Sequence, residues 1–211
     1  FLKRFVSSLV LISIITFIVI KGSIFLNIFI LICFLISLYE WHKMKKNNIF
    51  YFLGIIFLFL SFYSVNRLIN FDADYSYFIF ILIICISTDL GGYFFGKLFK
   101  GKKLTKISPN KTYSGMIGSF IFAIIFSYLF LELSDIVPYL KFSSLNILIF
   151  ILYVSLISQI GDVTISFFKR KSKVKNTGII IPGHGGLLDR IDGMIFAFPF
   201  GYLLLSLGFL K

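Results

Sequence analysis

Long apolar runs recur along the whole length of this chain, and they constrain its fold more than any other feature. Seven can be read from the sequence, at residues 5–20, 23–39, 49–65, 75–87, 113–133, 145–160 and 194–210. A helix needs about 20 apolar residues to cross a bilayer, and aromatic or Ser/Thr flanks extend most of these runs toward that length. With 58% hydrophobic and 14% charged residues, a soluble domain could not give water a polar exterior. The sequence therefore predicts an all-α, polytopic transmembrane bundle of about seven helices.

The Lys and Arg residues are distributed unevenly between the two sets of loops. With the N-terminus placed in the cytoplasm, seventeen of the twenty-one fall inside, at residues 3–4, 43–46, 97–111, 169–175 and 190. This asymmetry follows the positive-inside rule. It predicts a multi-pass protein of the plasma (inner) membrane with a cytoplasmic N-terminus. The opening segment has Lys3 and Arg4 before its apolar run but no small-residue cleavage site, so we expect a retained helix.

The formal net charge of +12 is explained by this topology and by attraction to anionic lipid headgroups. Nucleic acid is not expected as a partner, because the basic residues lie in short loops beside membrane spans rather than along one soluble face. Cys33 and Cys85 lie inside apolar runs without metal-ligand spacing, and we expect ordinary small apolar residues at both positions.

Chemically distinctive residues are concentrated in the second part of the chain. Residues 1–75 are interpreted as N-terminal transmembrane helices, a scaffold that supplies a lipid groove or a dimer contact. Their acidic residues, Glu40, Asp72 and Asp74, lie near predicted helix ends and indicate no chemistry. Residues 76–211, which place charged and glycine residues at membrane depth and in dense loops, are interpreted as the catalytic transmembrane domain.

A first polar group lies at the inner end of the fourth apolar run. Asp89 follows that run directly, at a depth where an ionised carboxylate is costly unless it is paired or metal-bound. Gly91, Gly92 and Gly96 leave one helix face bare, so that another helix or a lipid can approach closely. Six lysines follow within residues 97–111. The group is either a packing helix that ends in a solvated basic loop, or a carboxylate beside a phosphate-recruiting loop.

A second polar group begins where the sixth run ends. Asp162, Ser166 and Lys169 are spaced four and three residues apart, which places them on one face of a helix. Arg170 and Lys175 lie among the cations that follow. A carboxylate, a hydroxyl and an ammonium on one face could hold a metal and a phosphate together. A salt-bridged helix end would have the same pattern.

A third polar group, residues 182–193, precedes the last apolar run. Its Pro-Gly-His-Gly-Gly segment, with His184 at the centre, is typical of a loop whose backbone amides face phosphate. Asp189 and Asp192 share a face of the following helix, and two carboxylates at that spacing suit a hard cation such as Mg²⁺. Arg190 lies between them and is available to a phosphate. A plain turn is the alternative.

The three groups have one chemistry in common. Carboxylates at Asp89, Asp162, Asp189 and Asp192 converge with many cations on the predicted cytoplasmic face. Nucleotidyl and phosphoryl transfer need positioning and charge neutralisation more than covalent help from the protein. A water-soluble nucleotide would enter from the cytoplasm, and a lipid substrate would enter sideways between the helices.

At these residues the sequence resembles the phosphatidate cytidylyltransferase, or CDP-diacylglycerol synthase, family. The matching positions of its C-terminal signature are Ser166, Lys169, Arg170, Lys175, Pro182, His184, Gly185, Gly186, Asp189, Arg190 and Asp192. Residues 159–162, 89–96 and 107–115 also resemble the family, so that the resemblance covers roughly residues 85–200. Three positions depart from the family pattern, with Asn176, Ser114 and Ile165 standing where acidic or polar residues are expected.

The resemblance implies transfer of the cytidylyl group of CTP to phosphatidic acid, giving CDP-diacylglycerol and pyrophosphate for phospholipid biosynthesis. It implies Mg²⁺ as the divalent cation and a homodimer among membrane lipids. The implied metal ligands are Asp162, Asp189 and Asp192. The implied phosphate-binding residues are Lys169, Arg170, Lys175 and Arg190, which with the three aspartates form the catalytic set. The remaining implied substrate-binding residues are Asp89, Lys111, Ser166, His184, Gly185 and Gly186.

Other functions stay open from the sequence. The same chemistry could act on an isoprenoid lipid, either as transfer or as CTP-dependent phosphorylation. The departures at Asn176 and Ser114 motivate a non-catalytic membrane homologue. A transporter is disfavoured because its charges should line a path at the membrane midplane. Alcohol phosphotransferases that consume CDP-diacylglycerol are disfavoured because their Asp-Gly-x-x-Ala-Arg run is absent.

Overall fold

The computed structural model describes residues 22–44, 48–71, 74–105, 108, 111–133, 144–180 and 185–210. Over these ranges the chain forms seven helices and no β-strand. In chain order they are α1 (Ser23–Lys43), α2 (Asn48–Ile69), α3 (Ser76–Phe99), α4 (Tyr113–Leu133), α5 (Ser144–Lys171), α6 (Leu188–Ile191) and α7 (Met194–Ser206). The all-α prediction is confirmed, and the first predicted span, residues 5–20, lies outside the described ranges.

Helices α1 to α5 are each long and apolar enough to cross a membrane. The prediction of an integral, multi-pass membrane protein is thereby confirmed. The last predicted span forms a shorter element, because α7 has 13 residues and contains Pro199, whereas a perpendicular crossing takes about 20. The orientation of the bundle in the bilayer stays a prediction.

Helices α3 and α5 extend well beyond the apolar runs that predicted them. Helix α3 has 24 residues and carries Asp89 within it rather than after it. Helix α5 has 28 residues and continues through Asp162 to Lys171. Helix α3 packs along α4, and Lys169 near the end of α5 pairs with Asp189 of α6, so that both helices bring charged residues to the same end of the bundle.

Small residues let α3 and α4 approach each other closely. Gly91 lies against the backbone carbonyl of Gly118, where a Cβ would overlap the oxygen, and Gly92 lies against Ser119. Small-residue contacts of this kind are a common way for helices to pack in membranes. The bare face of α3 that the glycines predict is therefore occupied by another helix.

The loop between α3 and α4 folds back toward the bundle. The backbone N–H of Leu104 donates to the carbonyl of Lys111 at 2.7 Å, and that of Tyr113 donates to the carbonyl of Lys102 at 3.1 Å. Gly101, with φ of 106°, allows the chain to turn directly after α3. This fold returns Lys111 to the end of the bundle, beside α5.

Two apolar clusters hold the helices together. The larger contains Ile81, Ile84, Phe150, Ile151, Val154 and Ala197, and joins α3, α5 and α7. The smaller contains Trp41, Ile165, Leu188 and Ile195, and joins α1 to α5, α6 and α7. Ile165 is buried in this second cluster, which accounts for an apolar residue where the family pattern has a polar one. The second cluster also brings the end of α1 against the start of α6.

Candidate active site

A cavity of about 440 Å³ opens between α3, α4, α5 and α6, at the end of the bundle that carries the basic loops. The charged residues that line it are Asp89, Lys111, Asp162, Lys169, Asp189, Arg190 and Asp192. All seven were predicted as site residues from the sequence. Residues separated by about a hundred positions thus meet in one cavity, because the helices that carry them converge at this end.

Lys111 and Asp162, which both line the cavity, form an ion pair. Lys111 Nζ lies 2.6 Å from Asp162 Oδ2, and the Ser166 hydroxyl donates to Asp162 Oδ1 at 3.3 Å. Both charged side chains keep partial exposure to the cavity, so their pair is exchangeable with an incoming charged ligand. The hydrogen bond from Ser166 confirms the common helix face predicted for Asp162 and Ser166.

Lys169 and Asp189 form a second, more buried pair. Lys169 Nζ lies 2.9 Å from Asp189 Oδ1 and 3.8 Å from Asp192 Oδ2. Asp189 Oδ2 accepts backbone hydrogen bonds from Thr177 at 2.9 Å and Gly186 at 3.0 Å. Burial by itself would raise the pKa of Asp189, but Lys169 and the two backbone donors outweigh it and hold that pKa below its usual value. Asp189 is therefore an ionised carboxylate whose two oxygens both have protein donors.

Asp192 lies deeper and in a more negative environment. Burial raises the pKa of Asp192 well above its usual range, the carboxylates of Asp162 and Asp89 raise it further, and Lys169 opposes them only in part. The backbone N–H of Gly193 donates to Asp192 Oδ1 at 2.9 Å. Three carboxylates therefore act on one another across the cavity, an arrangement that a cation would relieve.

Neutral polar side chains line the part of the cavity between α3, α4 and α5. Thr88, Ser119 and Gln159 line it. The Thr88 hydroxyl donates to Ser155 Oγ at 2.8 Å, and the Ser119 hydroxyl donates to the Thr88 carbonyl at 2.7 Å. Sequence reasoning missed Thr88 and Ser119, although small polar residues within apolar spans are a usable signal.

Glu40 is a second residue that sequence reasoning missed. It lies in the last turn of α1, in the part of the chain interpreted as a scaffold, and its side chain is fully buried. Its carboxylate accepts hydrogen bonds from Thr177, Leu187 and Leu188. A lone acidic residue at the end of a long apolar helix is costly unless it has partners, and that cost was the available signal.

The remaining predicted site residues lie around the cavity or outside the described part of the chain. Gly185 has φ of 97°, and a Cβ there would lie 3.0 Å from Asp189 Oδ2, so glycine fits this position. Arg170 and Lys175 are exposed and do not line the cavity. His184 lies outside the described residues, and its role stays a prediction.

The predicted metal ligands are not assembled as a three-residue cluster. Within the part of the chain that the structure describes, no group of three or more His, Cys, Asp or Glu side chains lies close enough to hold a metal ion. Asp189 is engaged by Lys169, Thr177 and Gly186, whereas Asp162 and Asp192 face the cavity beside Asp89. Mg²⁺ is commonly held by one or two carboxylates together with substrate phosphates. The carboxylates of Asp162 and Asp192 fit that kind of site.

Comparison with known sequences gives the family of the chain. Residues 45–208 match the Cytidylyltransferase family. The chain is 36% identical over 157 residues to the phosphatidate cytidylyltransferase of Bacillus subtilis, covering 74% of this chain and 57% of that relative. It is 36% identical over 214 residues to the phosphatidate cytidylyltransferase of Rickettsia typhi, covering 93% of this chain and 88% of that relative.

This chain belongs to the cytidylyltransferase family, which confirms the resemblance seen in its motifs. A third relative, the phosphatidate cytidylyltransferase of Haemophilus influenzae, is 38% identical over 123 residues, which cover 58% of this chain and 43% of that protein. The matched parts span about half the length of the Bacillus subtilis and Haemophilus influenzae relatives. They span most of the Rickettsia typhi protein.

Proposed function

We propose that this chain transfers the cytidylyl group of CTP to phosphatidic acid, giving CDP-diacylglycerol and pyrophosphate. The observation that carries the proposal is the cavity at one end of the helix bundle, where four carboxylates meet Lys111, Lys169 and Arg190. The relatives named phosphatidate cytidylyltransferase support the choice of substrates.

The reaction is a displacement at phosphorus. A phosphate oxygen of phosphatidic acid attacks the α-phosphorus of CTP, and the bond from that phosphorus to the oxygen bridging to the β-phosphorus breaks. Pyrophosphate leaves with the electron pair. The attacking phosphate is already ionised at neutral pH, so the protein's task is to position two anions and neutralise the charge on the leaving group.

Lys111, Lys169 and Arg190 are suited to that task. All three line the cavity, and Lys169 is held in place by Asp189. The pair of Lys111 with Asp162 is exchangeable, and we expect a triphosphate to draw Lys111 away from the carboxylate. The same exchange would free Asp162 for a cation. Arg170 and Lys175 would attract CTP from outside the cavity through their charge.

Asp162 and Asp192 are the proposed ligands of the divalent cation, with Asp89 beside them. Asp189 was predicted as a metal ligand, but both its oxygens already accept hydrogen bonds from the protein. Its main role is therefore proposed to be the orientation of Lys169. When bound, Mg²⁺ would neutralise charge on the phosphates as pyrophosphate leaves. The carboxylates and lysines of the cavity would then hold the cation and the two substrates close together.

The proposed orientation places the cavity on the cytoplasmic side of the inner membrane. The cation-rich segments 97–105 and 169–175 lie at the same end of the bundle as the cavity, and the positive-inside rule places such loops in the cytoplasm. CTP would enter from there, and phosphatidic acid would enter from the bilayer. A homodimer remains part of the proposal through the resemblance alone.

Transfer of label from CTP into lipid tests the proposal. Purified protein in detergent micelles would receive radiolabelled CTP, phosphatidic acid and Mg²⁺, with polyprenyl phosphate as a second acceptor and Asp189→Ala as a variant. We expect chloroform-extractable CDP-diacylglycerol, lost with EDTA and in the variant. If well-folded protein labels only the polyprenyl phosphate, the acceptor is wrong; if it labels no lipid with any metal, the activity is refuted.

A further inference from the structure

The carboxylate of Glu40 connects the first helix to the loop that forms the site. Its oxygens accept three hydrogen bonds from residues more than 130 positions away. Thr177 Oγ1 donates at 2.8 Å, and the backbone N–H groups of Leu187 and Leu188 donate at 3.0 and 2.9 Å. Two of these donors belong to the start of α6, the short helix that carries Asp189 and Arg190 into the cavity.

Glycines beside this carboxylate give it the room it needs. A Cβ on Gly178 would lie 2.5 Å from Glu40 Oε1, and a Cβ on Gly186 would lie 2.5 Å from Glu40 Oε2. Either contact is too short for a real side chain. The space that Glu40 occupies therefore explains why residue 186 is a glycine, without any contact to the nucleotide.

Thr177 connects Glu40 to the site directly. Its hydroxyl donates to Glu40 and its backbone N–H donates to Asp189 Oδ2 at 2.9 Å. Asp189 in turn holds Lys169. A continuous set of hydrogen bonds and one ion pair thus leads from α1 to the proposed phosphate-binding lysine.

We propose that Glu40 is a positioning residue of the cytidylyl-transfer site. It fixes the start of α6 and the segment around Thr177, so that Asp189 and Arg190 face the cavity in one arrangement. This inference rests on the proposed function for its catalytic consequence. The structural part, that Glu40 holds the loop, stands on the hydrogen bonds alone.

A carboxylate suits this position better than an amide of the same shape. Three donors converge on two oxygens, and every one of them donates to Glu40. A glutamine would present an NH₂ group to at least one backbone N–H at the start of α6. That donor would then be buried without an acceptor, which favours displacement of the helix.

The decisive comparison is Glu40→Gln against Ser37→Ala. Ser37 lies one turn earlier in α1, is buried, and donates to the carbonyl of Cys33 at 2.7 Å. The control therefore removes a buried polar contact from the same helix without touching the loop. For Glu40→Gln we expect kcat/KM for CTP to fall about ten- to hundred-fold per folded molecule, with a raised KM for CTP.

A merely structural role gives a different result. Glu40→Gln would then lower only the amount of folded protein, and the KM for CTP and the kcat per folded molecule would match those of the wild type and of Ser37→Ala. That outcome would overturn the proposal. If Glu40→Gln does not fold, Thr177→Val takes its place, since it removes only the hydroxyl donor; unchanged constants in that variant would equally overturn it.

Hydrogen–deuterium exchange separates this inference from the proposed function. Peptides covering residues 185–190 should exchange faster in Glu40→Gln than in the wild type or Ser37→Ala, whether or not the protein transfers label from CTP. Unchanged exchange would show that Glu40 does not hold the loop. A further outcome is faster exchange in Glu40→Gln while the wild type shows no transferase activity. That result would support the contact between Glu40 and the loop and would refute only the proposed reaction.

Discussion

Removing the charge of Lys169 should destabilise the protein strongly. Lys169 is buried, lies 2.9 Å from Asp189 and is also close to Asp192. In Lys169→Met both carboxylates lose their nearest cation, while Asp189 keeps its two backbone donors. Breaking a buried pair on one side costs about 3–5 kcal/mol, because the remaining charge stays buried.

The matched control is Lys171→Met, two residues further along the same helix. Lys171 is exposed, and its Nζ lies 3.9 Å from the centre of the Phe50 ring. An exposed cation–π contact contributes about 0.5–1 kcal/mol. For a chain of this size, the two substitutions should lower the melting temperature by roughly 6–20 °C and by less than about 4 °C, respectively.

Thermal unfolding in detergent, followed by circular dichroism, measures both effects. Adding Asp189→Asn to Lys169→Met removes one of the uncompensated charges, and the asparagine oxygen can still accept from Thr177 or Gly186. The double variant should therefore recover at least about 1 kcal/mol relative to Lys169→Met alone. Equal stability of the two methionine variants, or strict additivity in the double variant, would refute the buried-pair reasoning.

Three further predictions concern packing, metal dependence and topology. Gly91→Val forces a side chain against the Gly118 carbonyl and should lower stability by about 1–3 kcal/mol or more, measured by thermal unfolding. Asp192→Asn should raise the Mg²⁺ concentration for half-maximal transfer at least about ten-fold, read from a metal titration of activity. Lys103→Cys, in an otherwise cysteine-free background, should react with an impermeant maleimide in inside-out vesicles only.

Controls make each of these results specific. In Gly96→Ala the new Cβ would lie 3.2 Å from the Thr112 hydroxyl and 3.7 Å from Gly115 Cα, without a backbone overlap of the Gly91 kind. A stability loss equal to that of Gly91→Val would therefore argue against the α3–α4 contact. Glu132→Gln, an exposed carboxylate at the far end of α4, should leave the Mg²⁺ requirement unchanged. Labelling of the Lys103→Cys variant in intact cells would show that the orientation is opposite to the proposed one.

The sequence determined the features that depend on near neighbours in the chain. Apolar runs predicted the five long helices, because the cost of exposing a backbone to lipid leaves few other structures. The last run predicted a full span where the shorter α7 forms. Spacing along one helix correctly placed Ser166 beside Asp162. The glycines of α3 predicted a close approach, and the three motifs predicted all seven charged residues of the cavity lining.

Only the tertiary structure decided which of these groups pair. Lys111 pairs with Asp162 and Lys169 with Asp189. The spacing along α5 had equally allowed Lys169 to belong to a salt-bridged helix end together with Asp162. Nothing in the sequence near Glu40 indicated its three donors, because they come from a distant part of the chain. Periodicity fixes the face on which a side chain lies, but the partner it meets depends on how distant helices pack, and that is settled by contacts among residues far apart in the chain.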